Sequence, residues 1–309
     1  MTAELLPSKY AAEEPAPVLS DKLRAIARHR SVLVGGFVIL AILLMAVSAP
    51  WLGTVDPTEI NPSMRNREPG YSVVKRDDEG RQTRQTFHFG TDSVGRDVYS
   101  RVVYGARVSM TIGVVVASLS VGIGLVIGLF AGYLKWLDVI VMRLMDGLMA
   151  IPTILLAISV VSLSRAGLGA VIAAVVIPEV PRVVRLVRAV VLSIREEPYV
   201  EAAMTLGTPT LPLLVRHVLP NTIPPLIVQG TFICASAILI EAVLSFLGIG
   251  IPPETPTWGN IMAEGRSLFR IYPHNIVYPG IALALTVLAV NMLGDGLRDT
   301  LDPRFSRRL

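Results

Sequence analysis

Long apolar runs set the limits on what this chain can fold into. Crossing a bilayer takes about 20 consecutive apolar residues of helix, and runs of that order recur along the sequence. The first covers 32–51, behind the basic stretch DKLRAIARHR. The second covers 109–134, is rich in Val, Ile and Gly, and closes on Lys135 and Trp136, a pair suited to a membrane interface. The third covers 138–163, with Arg143 and Asp146 near its start and Pro152 inside. Arg143 and Asp146 stand three apart, a spacing that lets them pair on one helix face. The fourth covers 168–187, where Pro178, Glu179 and Pro181 interrupt the apolar pattern and Arg182, Arg185 and Arg188 follow at helical spacing. The fifth covers 223–249 and holds Glu241; the sixth covers 276–293. The expectation is an all-α integral membrane protein with six transmembrane helices and both ends on one side.

Composition agrees. Charged residues make up 17% of the 309, against about 25% in soluble domains. The first run reads as an uncleaved anchor, because its apolar core is longer than a signal peptide's and Pro50 would follow the cut. Lys and Arg of short loops mark the cytoplasmic face. They gather before Val32 (Lys9, Lys22, Arg24, Arg28, Arg30), after the fourth run (Arg182, Arg185, Arg188, Arg195, Arg216) and at the C-terminal end (Arg298, Arg304, Arg307, Arg308). The nine Lys and Arg of 52–108 are mixed with acids, in a loop long enough to weaken the rule.

The expected organisation is a largely disordered cytoplasmic tail at 1–31, a first transmembrane helix at 32–51 and an external, turn-rich loop at 52–108. A five-helix core at 109–297 follows, with a cytoplasmic segment at 196–220 and an external loop at 250–275, then a cytoplasmic tail at 298–309. The 250–275 loop opens on IPPETPTWGN, read as a compact non-helical turn before a short amphipathic piece, IMAEGRSLF. Aromatics in the two external loops (Tyr71, Phe87, Phe89, Trp258, Phe269, Tyr272) make them candidate docking surfaces. In GTDSVGRD, Asp92, Arg96 and Asp97 form a local ion-pair and turn network, with Gly90 and Gly95 supplying the bends.

Much chemistry is absent from the sequence. There is no GxxxxGK[ST] phosphate loop, no HExxH, no GxSxG and no CxxC. The lone Cys234 and four scattered histidines give no metal-ligand spacing. No basic stripe with interleaved aromatics marks a nucleic-acid surface. The net charge of +4 suits positive-inside bias and anionic lipid. No catalytic residues, resident cofactor or metal site are expected. Ionisable and polar groups inside spans are functional candidates, which makes Asp146, Glu179, Gln229 and Glu241 candidates for lining a path.

The segment Glu201 to Pro220, EAAMTLGTPTLPLLVRHVLP, is too polar and too structured for an ordinary connector. Pro198 suits a first helical turn, and Glu196, Glu197 and Glu201 lie at the helix's positive end. Ala202 and Ala203 leave a thin, small-residue face, and Gly207 stops the helix. Thr208 is placed to cap a second short helix with Pro209 at its first position, ended by Pro220 and Asn221. The reading is a two-helix elbow lying along the membrane.

With Glu201-Ala202-Ala203, three residues, Gly207, nine residues, His217, one residue and Leu219-Pro220, the elbow resembles the cytoplasmic signature of permease subunits of bacterial ABC importers. His217 stands where many members carry Ile, and RHVLPN is similar to the peptide-importer branch. Three further blocks, HFGTDSVGRDVYSRVVYGARVS (88–109), FLGIGIPPETPTWGNIMAEGRS (246–267) and NMLGDGLRDTLDPR (291–304), resemble the C-type permease of dipeptide, oligopeptide and nickel importers. The loop at 62–86 is long for that branch, and the N-terminal tail matches nothing in it. The resemblance implies an inner-membrane subunit with cytoplasmic termini. Its elbow (Glu201, Ala202, Ala203, Gly207, His217, Leu219, Pro220) would sit in a cleft of a separate ATPase that holds ATP-Mg. It implies a second homologous permease, one or two ATPase subunits and an extracytoplasmic binding protein docking near Asp92, Arg96, Asp97 and Trp258. The implied cargo is a di- or oligopeptide, with nickel or haem as the alternative. An ion-coupled secondary transporter is the rival reading, but such folds often carry inverted repeats and none is evident. A scaffold or sensor that uses the elbow to hold a partner is the other rival.

Overall fold

A computed structural model describes residues 26–76, 82–164 and 167–301. The expectation of disorder at the N-terminal end falls mostly outside these residues. The helices are α1 (Arg30–Val47), α2 (Val98–Tyr133), α3 (Lys135–Met149), α4 (Thr153–Leu163), α5 (Leu168–Arg195) and α6 (Pro198–Thr205). Then come α7 (Thr210–Phe246), α8 (Trp258–Gly265) and α9 (His274–Leu301). Strands β1 (Tyr71–Arg76) and β2 (Gln82–Phe87) pair antiparallel, Tyr71 opposite Phe87 and Val74 opposite Arg84. The 52–108 segment is therefore more than a string of turns.

Among the described residues four helices, α1, α2, α7 and α9, are long and apolar enough to cross a membrane, and α3 with α4 forms a bent pair that makes up to five. The third run is not one helix. It breaks before Pro152 and the two parts meet at 91°, because a proline's ring disfavours helical geometry at the residue before it. The second run starts eleven residues earlier than its apolar pattern. Asp97 draws the start back to Val98 by accepting hydrogen bonds from the Ser100 amide (2.9 Å) and hydroxyl (2.5 Å). The 28 residues of α5 would span about 42 Å at ~1.5 Å per residue, yet Glu179 and four arginines set it apart from the four helices above.

The core is built on α2, with α5 on one side and α7 on the other. Close approach of α2 and α5 rests on glycine. A Cβ on Gly124, Gly128 or Gly132 would stand 2.5–2.7 Å from the Cβ of Val183, Val187 or Val191 respectively. These positions recur every four residues on one face of each helix, so the valines settle into a groove that only glycine leaves open. The pairing ascends in both sequences, so α2 and α5 run parallel. At one end of the bundle the Arg195 guanidinium donates to Tyr133 O (3.2 Å). The start of α1 meets the finish of α9 through His29 and Asp299 at 3.7 Å.

Candidate functional site

The elbow follows α5 directly. Glu197 occupies the N-cap position of α6, Pro198 its first turn, and Glu201 lies in that first turn. Gly207 takes φ +78° and ends the helix, while the Thr208 amide donates back to Ala203 O (3.1 Å). A left-handed backbone is open to glycine without a Cβ penalty, and a Cβ there would meet nothing within 4 Å. The demand for glycine at this position is therefore conformational and not steric.

Beyond Gly207 the chain differs from the two-helix reading. Pro209, not Thr208, is the N-cap residue, and Thr210 opens a helix that continues through a π-turn at Leu214–Val218 into the body of α7. Pro220 does not end it. The wider turn leaves room for a residue that cannot donate to the ladder. The elbow is thus one free-standing helix, α6, joined by a glycine corner to the lower end of a long helix.

Val200, Leu213, Leu214 and Val218 are buried and hold the elbow to the bundle. The Asn221 side-chain amide donates to His217 O (2.8 Å) and to the Tyr199 hydroxyl (3.3 Å), tying α6 to α7. The His217 ring lies 6.2 Å from that of Tyr199. Glu201, Ala202 and Pro220 are exposed, Ala203 and Leu219 half-buried. Leu206, at the corner, is 87% exposed. An exposed carboxylate, a pair of alanines and a bare leucine on an eight-residue helix make a projection that another surface can grip.

Four groups named as path candidates are placed differently from one another. Asp146 pairs with Arg185 of α5 at 2.5 Å, not with Arg143. Arg188 pairs with Asp138, and Arg182 with Glu179 at 3.2 Å. Arg182, Arg185 and Arg188 of α5 thus each have an acid. Glu179, fully buried, also accepts from the Ser236 hydroxyl of α7 (3.2 Å). Glu241 is equally buried and accepts from Ser245 (2.8 Å), beneath α8 rather than in an open path. Gln229 lines a cavity of about 670 Å³ beside the elbow.

Comparison with known proteins fits this geometry. Residues 124–307 match the model of the binding-protein-dependent transport system inner membrane component. Residues 19–69 match the N-terminal TM domain of oligopeptide transport permease C. The chain belongs to the binding-protein-dependent permeases. It is 48% identical to a probable peptide ABC transporter permease protein of Sinorhizobium fredii, over 93% of each chain. It is 39% identical to a di/tripeptide transport system permease protein of Pseudomonas aeruginosa, over 94% of this chain and 93% of that one. A solved inward-facing methionine ABC transporter shares the fold, with a TM-score of 0.53 at 19% identity over 65% of this chain and 96% of that one. The chain is thus a membrane transport subunit of the ABC importer class, not an enzyme.

At the other end of this permease lies a second constellation. Asp92 meets Arg96 and Arg101, each at 2.7 Å. Glu264 of α8 meets Arg101 at 2.6 Å and also pairs with Arg96. Arg101 further donates to Pro253 O (3.2 Å). The two acids and two bases balance, as burial requires. Burial would push the Asp92 carboxyl up, but the two guanidinium groups and the Arg96 amide outweigh it and hold it below the usual range. Asp97 stands outside this network as the cap of α2. Burial raises its carboxyl above the usual range despite the Ser100 and Tyr99 hydrogen bonds. Trp258, named as a docking aromatic, is wholly buried, and its indole N–H donates to Val102 O (3.0 Å). Phe87 is buried too, and Phe89 stacks on Tyr278 at 4.0 Å, while Tyr71 and Phe269 remain exposed. Sequence reading missed Arg101 and Glu264. A basic residue four or five positions after an acid-capped helix start was the available signal for Arg101; Glu264 had none.

Proposed function

We propose that this permease moves peptides inward, driven by a separate ATPase that grips α6 and the glycine corner. The supporting observation is the elbow itself, an eight-residue helix that projects Glu201, Ala202 and Leu206 while Val200 and the Tyr199–Asn221 contact root it in the bundle. The peptide cargo follows from the relatives, whose names specify peptides and di/tripeptides. Glu201 supplies a polar contact, Ala202 and Ala203 allow close approach, and Gly207 sets the angle. His217, Leu219 and Pro220 carry displacement into α7. ATP-Mg is held by one or two ATPase subunits, and closure of their dimer pulls the elbow. The mechanism is a bistable element biased from a remote site.

In this reading the chain crosses the inner membrane six times. The α2–α5 pairing is parallel, so the bent α3–α4 pair returns the chain and α5 crosses again. The start of α1, the elbow and the finish of α9 then share the cytoplasmic side. The 52–97 and 250–273 segments face outward, where an extracytoplasmic binding protein docks, and a second homologous permease completes the path.

Gly207→Val tests the coupling. The substitution meets no neighbour, so it acts through the left-handed backbone, a cost of roughly 1–2 kcal/mol. In proteoliposomes carrying the full assembly, the expected result is ATP hydrolysis retained and peptide uptake reduced at least tenfold. Uptake at the wild-type rate would overturn the lever.

A further inference from the structure

The cavity beside the elbow has features that neither the elbow nor the bundle core accounts for. Its volume is about 670 Å³, within the range of about 300–1,000 Å³ common to small-ligand sites. Leu186 of α5 and Pro224, Val228 and Phe232 of α7 wall it, while Asn221, Gln229 and Arg298 supply polar groups. From Pro220 to Phe232, α7 rises about 18 Å at ~1.5 Å per residue, so the cavity is an elongated cleft running inward from the elbow. Arg298 stands one turn before α9 finishes, and it and Gln229 both line the cleft.

Arg182, Arg185 and Arg188 of α5 each face an acid. Arg298 and Gln229, by contrast, have no hydrogen-bond or ion-pair partner among the described residues. A cation and an amide lining one cleft form an incomplete recognition pair.

We propose that this cleft is the inner station of the cargo path, where Arg298 receives a peptide's terminal carboxylate and Gln229 pairs with its backbone amide. The proposal rests on the peptide reading above. A guanidinium offers two parallel donors to a carboxylate. A glutamine amide offers one donor face and one acceptor, the complement of a peptide unit. Both contacts are to groups that every peptide carries, and the proline, valine and phenylalanine walls accept side chains without specifying them. A phospholipid would satisfy Arg298 but would lay acyl chain against the Gln229 amide, leaving it unpaired. The cleft is also joined to the drive. Asn221 is part of its wall and at the same time links Tyr199 to His217, so a displaced α6 deforms the cleft that holds the cargo.

The test uses the whole assembly of both permeases, ATPase and binding protein in liposomes, with radiolabelled alanyl-phenylalanine as the probe. Arg298→Gln is expected to lower ATP-driven uptake at least tenfold, with Arg298→Lys recovering part of the loss. ATPase co-purification and basal hydrolysis should match wild type in both variants. A benzophenone amino acid placed at Phe232 should capture labelled peptide during cycling. Unchanged uptake in Arg298→Gln would overturn the proposal. So would loss of ATPase recovery, which would make Arg298 a docking residue, or capture of phospholipid alone. Wild-type assembly that carries no peptide would refute the cargo reading, and this cleft assignment with it. Normal wild-type uptake with an indifferent Arg298→Gln would refute the cleft alone.

Discussion

The two ends of the permease are built on opposite plans. At the end proposed to face outward, Asp92, Arg96, Arg101 and Glu264 join the GTDSVGRD loop, α2 and α8 through largely buried ion pairs. The Asn260 side-chain amide adds contacts at 3.1 Å to the carbonyls of Ile251, Pro252 and Thr255, closing the IPPETPT turn. At the end proposed to face inward, the elbow offers Glu201, Ala202 and Leu206 to solvent and is held by a few buried side chains and one amide. Buried charge tolerates little displacement, because each ion depends on its partners. Exposed small residues around a glycine corner tolerate a great deal. On the proposed mechanism, one end keeps its shape and the other is moved.

Substitutions can break or sharpen that contrast. The largest effect is expected at Arg101. Arg101→Leu leaves Asp92 and Glu264 to share Arg96 alone in a largely buried setting, and removing one member of such a set costs about 3–5 kcal/mol; detergent-solubilised protein should lose yield and melt well below wild type. Acid should act on the same end. The Asp92 carboxyl is held low in the folded protein, so its contribution is present above the ordinary aspartate range and lost as pH falls through its folded value. Asp97, held high, has the opposite sign, since protonation relieves its burial. Hydrogen exchange at 90–103 should therefore rise only below about pH 4, and Asp92→Asn should remove that step. Next is Asn221→Ala, which unties Tyr199 from His217. It should cost about 1 kcal/mol and raise exchange in 198–206 while leaving 90–103 unchanged. The smallest effect is expected at Leu206. Leu206→Ser should alter stability by less than about 0.5 kcal/mol, as exposed positions do, yet reduce recovery of the ATPase with the permease.

Much of this contrast was legible in the sequence, for identifiable reasons. Gly207 and Pro198 act locally, so the helix stop and start could be read from residue type. The fate of Pro220 could not, because a π-turn four residues earlier absorbs it, and π-turns leave no periodic signature. Pro152 was visible as a proline but not as a right-angle break, since helices in membranes often carry one. The Arg143–Asp146 pairing was reasonable on spacing, but α5, packed against α3, brought Arg185 closer. Asp97 was read into an ion-pair network, and its hydrogen bonds to Ser100 made it a cap. Trp258 looked like a docking aromatic because it follows a proline-rich turn; only the packing of α2 against α8 shows that it faces inward. The Gly124–Gly128–Gly132 stripe was present as composition, but its meaning needed the valines of α5 opposite.

The central claim is that force enters at a pliant inner elbow while the outer platform stays fixed. Hydrogen exchange across the whole assembly, with and without trapped ATP, tests it most directly. Protection of 198–218 should change on ATP trapping, while 90–103 and 257–265 remain as they were. An elbow that does not respond, or an outer platform that responds more strongly than the elbow, would contradict the account.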